Sequence, residues 1–430
     1  MKHQFTVLYE MRHYLLLWLT QMISGLGSAM TAYALVIWSY TQEGSALRTA
    51  LLMVCSYAPY VVMSLFAGAV SDRWDKKRTM LVCDALAAAS TLCVLLLLKT
   101  DTLKIRHLYA VNAVTGLMNT VQQPASEVMT TLLLPKKYYQ KVGGLRYFSS
   151  SLSSVLTPVL ATALLAFGGM DIVFAVDLGS FVLAFLVLLF AIPVPGQKLP
   201  AGDRESFFRT VSGGLRYLRQ EKGILHLMLF LAAINLTASM YQAAFPAMLL
   251  SRPRGGTTAL GIMNTVTGVT MLAGSILASL LKTPKSRVKA IWYCLMLSMS
   301  TENFLLAFGR TLPVWCAGAF LGWISIPLMN ANLDAVYRSR IPRELQGRVF
   351  AARNSFQFFT IPLGYFLGGF AVDRLFEPLM ALQSGDSFLN RCFGTGKGSG
   401  AAFFFAVIGV LGMLTCLFFR RDKHIHRLEA

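Results

Sequence analysis

The chain is a succession of apolar runs, each about 20 residues long, the length a helix needs to cross the hydrocarbon core of a bilayer. They lie near 14–39, 49–70, 79–98, 108–132, 145–167 and 172–193, then near 224–249, 259–281, 290–309, 312–336, 349–372 and 401–419. Backbone groups facing lipid find no water to bond, so each run must close on itself as a helix. With 55% apolar and only 14% charged residues, a chain of 430 residues cannot cover itself with a water-facing surface. The expected fold class is an all-α integral membrane protein of twelve transmembrane helices. Lys2 and Arg12 precede a run that continues to Trp38 without a cleavage site, so it reads as a retained first span.

The net charge of +19 would suit nucleic acid if it were gathered on one exposed domain, but the cations fall in short clusters between the apolar runs. Of the 39 Lys and Arg residues, 29 lie on one side of the expected membrane: the two ends, 71–78, 136–146, 198–222, 282–289 and 338–353. The positive-inside rule makes that side cytoplasmic, with both termini on it, in the cell (inner or plasma) membrane. Anionic lipid of the inner leaflet is then the partner of these cations, and no nucleic acid is required.

Ile192-Pro193-Val194-Pro195-Gly196 ends the sixth run and opens a basic stretch. Three parts are expected: a six-helix bundle over 1–194, a cytoplasmic basic linker over 195–222, and a second six-helix bundle over 223–430. In the linker, Phe207, Phe208, Val211, Leu215 and Leu218 recur at roughly helical spacing among cations, either as an amphipathic helix on the inner surface or as a helix packed between the halves. A shift of 207 residues places Glu127 on Asp334, Pro135 on Pro342, Lys136 on Arg343, Lys141 on Arg348, Val142 on Val349 and Arg146 on Arg353. That is an internal repeat of the unit running from the fourth run to the fifth. Parallel halves of this kind are a transporter pattern.

The turn after the second run carries Gly68, Asp72, Arg73, Lys76, Lys77 and Arg78. These residues resemble the loop signature between the second and third spans of the major facilitator superfamily. The runs Pro124-Ala125-Ser126 to Leu134-Pro135-Lys136, Val173 to Asp177, Ile341-Pro342-Arg343-Glu344 with Gly347-Arg348-Val349, and Pro362-Leu363-Gly364 with Gly368-Gly369 look like its macrolide-efflux and siderophore-exporter branch, the drug:proton antiporters. One departure is Thr157-Pro158 with Ala161, where such antiporters carry a glycine-rich fifth span. The resemblance implies two pseudo-symmetric bundles that rock about a central cavity lined by spans one, four, seven and ten.

It also implies roles. Asp72 with Arg73, Lys76, Lys77 and Arg78 would form a conformational latch near Gly68; the bland alternative is a topogenic charge cluster. Glu127 and Asp334 hold equivalent repeat positions, with Arg146 and Arg353 as partners in a charge relay or, for Glu127, a proton-carrying role. Glu302 lies mid-span among Ser298, Ser300, Thr301 and Asn303, far from any cation in sequence, and is either a coupling acid or a side chain bonded by its neighbours. Asp84 and Asp177, near span ends, read as structural. The cavity would take Gln21, Ser24, Tyr33, Asn112, Asn119, Gln122, Gln123, Asn235, Tyr241, Gln242, Trp323, Asn330, Asn354 and Gln357, amides and aromatics that suit a bulky, mostly apolar ligand.

No phosphate loop, nucleophile elbow or paired metal-binding histidines occur, and the seven cysteines have no metal-ligand spacing. No enzyme, cofactor or metal is expected. The resulting expectation is a monomeric secondary transporter exporting a medium-sized amphipathic small molecule in exchange for protons. Uptake or facilitated diffusion is the alternative, and a non-transporting sensor or membrane-bound enzyme is the alternative of another class.

Overall fold

The computed structural model describes residues 2–63, 75–134, 138–193, 216–282, 284–342, 349 and 359–428. Among these the protein is all helical, and eight helices are long and apolar enough to cross a membrane. Helices α1 (Lys2–Glu43), α2 (Ala46–Met63), α3 (Lys76–Lys99), α4 (Ile105–Leu133) and α5 (Tyr139–Leu186) precede the basic stretch. After it come α6 (Lys222–Ser251), α7 (Thr257–Leu280), α8 (Arg287–Phe308), α9 (Leu312–Trp323), α10 (Ile326–Arg340), α11 (Glu377–Ala381), α12 (Phe388–Phe393), α13 (Ser399–Arg420) and α14 (Lys423–His426).

Helices and expected spans do not correspond one to one. α5 joins two apolar runs across a break at Gly168 and Gly169, where Gly169 has φ +66°, a left-handed conformation that glycine adopts without a Cβ penalty. α9 and α10 share one run, interrupted at Ile324 and Ser325, with Pro327 in the first turn of α10. Of the expected amphipathic stretch from Phe207 to Leu218, the part up to Leu215 lies outside the described residues; residues 216–220 are helical, and Leu218 is buried in the core of the second unit.

Two compact units emerge: Met1–Val36 with Cys55–Arg204, and Ile37–Val54 with Glu205–Ala430. In the first, Leu17, Met80, Ala125, Met129, Leu188 and Ile192 form a buried cluster. In the second, Leu227, Phe230, Ile291, Leu295, Met329, Leu333, Tyr337 and Cys416 do so, with α8 at the centre, packed on α9, α10 and α13. Large apolar side chains such as Phe167, Phe190, Leu280 and Phe418 face outward, as they can where the solvent is lipid.

Several helix ends are held by side-chain partners. Asp75 precedes α3 and accepts the Arg78 N–H at 2.8 Å. Lys77 Nζ donates to the carbonyls of Leu189 and Ile192 at 3.0 and 2.8 Å, in the π-helical turn after α5 where carbonyls lose their intrahelical donors. In the second unit, Asp422 accepts the His424 and Ile425 N–H groups and faces His226 Nδ1 at 2.6 Å, tying the tail to α6.

Candidate functional site

Each unit contains a polar cavity lined by a buried carboxyl group, Asp177 in the first and Glu302 in the second. In the first unit the cavity is about 620 Å³, lined by Gln21, Ser24, Ser28, Asn112, Asn119, Gln122, Gln123, Asp84 and Asp177 among others. Asp84, on α3, accepts from Gln21 Nε2 at 3.1 Å and from Gln122 Nε2 at 2.6 Å. Asp177, on α5, accepts from Ser28 Oγ at 3.0 Å and Thr91 Oγ1 at 3.2 Å. Gly27 lets α1 approach closely: a Cβ there would stand 3.2 Å from an Asp177 carboxylate oxygen and 2.5 Å from Ser180 Oγ. Among the described lining residues none is Lys, Arg or His, so both acids are held by neutral donors alone.

The second unit has a cavity of about 230 Å³. Glu302, on α8 and 4% exposed, receives Tyr241 Oη at 2.6 Å and Trp323 Nε1 at 2.9 Å, both on Oε1. Tyr241 is fixed by stacking on Phe245 and an edge contact with Phe405, each with ring centroids 5.2 Å apart. Trp323 is the last residue of α9, so the break before α10 sets where its indole sits. Gly322 clears the space beside the acid, where a Cβ would lie 2.6 Å from Glu302 Cβ. Asn235, Gln242 and Asn330 complete the polar wall, and no basic residue lines it among those described.

Glu127 behaves differently. It pairs with Arg146 across 3.4 Å, both side chains more than half exposed, beside a groove of about 300 Å³ lined by Tyr14, Trp18, Gln21 and Gln123. Asp334 is exposed on α10. Tyr33 packs with the apolar cluster around Met30 and Val173. Gly68, Asp72, Arg73, Arg353, Asn354 and Gln357 lie outside the described residues.

Eleven of the fourteen sequence-predicted cavity residues thus fall on these two walls, six in the first unit and five in the second. Asp84 and Asp177, read from sequence as structural, stand on the first wall. Asn303, next to Glu302, lines the second and was not singled out as a cavity residue. The available signal was position: Asp84 and Asp177 interrupt apolar runs, as Glu302 does.

Helical spans around polar, acid-bearing cavities suit passage of a small molecule. Residues 17–365 match the sequence profile of the Major Facilitator Superfamily. The chain belongs to this superfamily. As a member of it the protein is a multi-pass membrane transporter of small molecules, not an enzyme. It is 24% identical to macrolide efflux protein A of Streptococcus pyogenes over 363 residues, 84% of this chain and 89% of that one. It is 22% identical to the enterobactin exporter EntS of Salmonella typhimurium over 293 residues, 66% of this chain and 67% of the exporter. A bacterial homologue of the iron transporter ferroportin in an inward-facing state superposes with TM-score 0.71 at 14% identity, covering 98% of this chain and 99% of that one. The nucleoside transporter NupG does so with TM-score 0.64 at 13% identity, covering 96% of this chain and 100% of that one. These two likenesses concern the fold alone.

Proposed function

We propose that this superfamily member is a secondary exporter of a medium-sized amphipathic compound, driven by inward proton movement through alternating access. In this reading the twelve spans form two six-helix bundles, 1–194 and 223–430, joined by a cytoplasmic linker, in the plasma membrane with both termini inside. Export is supported by the likeness to macrolide efflux protein A and to EntS over most of the chain. Coupling is supported by one observation above all, the burial of Glu302 against neutral donors only. An ionised carboxylate inside a membrane protein costs several kcal/mol unless it is paired or wet, so this acid is poised to gain and release a proton. One charge moving through 100 mV carries about 2.3 kcal/mol, enough for a useful concentration gradient.

The other acids take supporting parts. Glu127 with Arg146, and Asp334 with Arg353, act as a charge relay. Asp72 with Arg73, Lys76, Lys77 and Arg78, next to Gly68, forms a latch that favours one of two rocking states. The deciding experiment is accumulation of a labelled compound panel in inside-out vesicles with and without an imposed pH gradient. Gradient-dependent accumulation is the expected result; gradient-independent equilibration would replace this reading by facilitated diffusion. Asp72→Asn should change the balance of inward and outward states, and an unchanged balance would remove the latch.

A further inference from the structure

We propose that the Glu302–Asn303 cavity recognises the protonated amine of the compound the protein carries. The inference rests on the export reading only in calling that amine a transported substrate.

Among the described residues the cavity wall has unmet acceptors and no cation. Glu302 Oε1 takes both neighbouring donors, Tyr241 Oη and Trp323 Nε1, leaving Oε2 without a donor among the described residues. Asn303 is 4% exposed, spends its Nδ2 on the Met299 carbonyl at 3.0 Å, and has an Oδ1 that is buried with no partner among the described residues. A buried acceptor without a donor costs about 1–3 kcal/mol; Asn303 Oδ1 is such an atom, and with the donor-free Glu302 Oε2 on the same wall it calls for a ligand that brings N–H groups. The carboxylate adds that the ligand should be positive. The rings of Tyr241 and Trp323 line the same space, and aromatic faces attract alkylammonium groups.

Size narrows the ligand further. At about 230 Å³ the cavity is smaller than the roughly 300–1,000 Å³ that encloses a drug-sized molecule. It holds a head group and its alkyl substituents, with Ile234, Met329 and Ile408 as the apolar part of the wall. An anion is repelled by Glu302. A metal ion would find one carboxylate and no further acid, His or Cys among the described lining residues.

The test is equilibrium binding to the purified full-length protein at pH 7 of a dansyl-labelled tertiary alkylamine and of its uncharged amide isostere. The wild-type protein is expected to prefer the amine at least tenfold. Glu302→Gln should abolish that preference by weakening the amine and leaving the amide within twofold. Asn303→Leu should reduce it severalfold. Equal binding of amine and amide by the wild type, meaning that Glu302 takes a proton only, overturns the inference, as does a preference retained in Glu302→Gln. If Glu302→Gln does not purify as a single species, Asn303→Asp decides: a second carboxylate must raise the preference, and an unchanged ratio overturns the inference. Accumulation in inside-out vesicles separates the two readings. Glu302-dependent amine binding without accumulation of either probe removes export and keeps the site. Accumulation of both probes with no preference in binding removes the site and keeps export.

Discussion

Asp373 caps α2 through Ala46, whose N–H donates to its Oδ1 at 3.0 Å from 327 positions earlier in the chain. Leu47 N–H donates to Oδ2 at 2.9 Å, and Ser45 Oγ also reaches Oδ2. A carboxylate at a helix N-terminus meets free N–H groups and the positive end of the helix dipole. The start of α2 is held in the second unit by this contact. Asp373→Ala should cost about 0.5–2 kcal/mol, the range for losing an N-cap, seen as a lower melting temperature of the purified protein. Labelling of a cysteine placed at Ala46 should quicken in the same variant. A melting temperature and labelling rate equal to the parent's would show that the cap does not hold this end of α2.

The space beside Glu302 depends on a glycine. Alanine at Gly322 would bring its Cβ 2.8 Å from Glu302 Oε2, closer than real contacts allow, so the glutamate must leave its place between Tyr241 and Trp323. Overpacking of this kind costs about 1–3 kcal/mol. Gly322→Ala should therefore lower both melting temperature and transport, and transport at the parent rate would show that the position of Glu302 is not needed.

Glu302 and Glu127 should differ in their effect on coupling. The Glu127–Arg146 pair is long at 3.4 Å and exposed, and such surface pairs contribute about 0–1 kcal/mol. Glu302 is buried without a counter-ion among the described residues. Glu302→Gln should cut substrate-driven proton flux in liposomes about tenfold or more, a barrier change of about 1.4 kcal/mol, while Glu127→Gln leaves it within about threefold. Unchanged flux in both variants would remove both as coupling residues.

The C-terminal anchor should be sensitive to acid. Burial by itself raises the Asp422 carboxyl. The hydrogen bond from His226 and those from the His424 and Ile425 backbone outweigh it and hold the group below its ordinary value. A lowered folded value means that the stabilisation is complete above the unfolded value of about 3.9 and is lost as pH falls through the folded one. Protection of the His424 and Ile425 amides from hydrogen exchange, taken relative to the intrinsic rate at each pH, should persist from pH 7 down to about 4 and fall below it. Asp422→Asn should show fast exchange at pH 7. Exchange that stays slow in that variant would mean the tail is held by packing of Ile425 and Leu428 instead.

Run length was readable without coordinates because lipid leaves a backbone no choice but to bond itself, so the apolar stretches announce helices wherever they occur. The break at Gly168 and Gly169 fell in the gap the sequence left between two runs, since two adjacent glycines free of Cβ atoms permit a sharp change of direction. Helix ends were less legible: α1 runs from Lys2 to Glu43, beyond the apolar run of 14–39, because a helix continues through polar residues as long as its own ladder of bonds does. The division of the run 312–336 into α9 and α10 was not foreseen either.

What the sequence by itself determined is the membrane as solvent, the basic stretch between two sets of spans, the repeat, and which amides and acids lie within the spans. Only the tertiary structure decided which of those polar groups meet. Gln21 and Gln122 converge on Asp84, Ser28 and Thr91 on Asp177, and Tyr241 and Trp323 on Glu302, across 38 to 149 positions in the first unit and 21 and 61 in the second. The reason is rotational. A run that is apolar on every side presents a weak preferred face to the eye, so the direction in which its few polar side chains point is set by the rotation of each helix against its neighbours, and that depends on close packing rather than on composition.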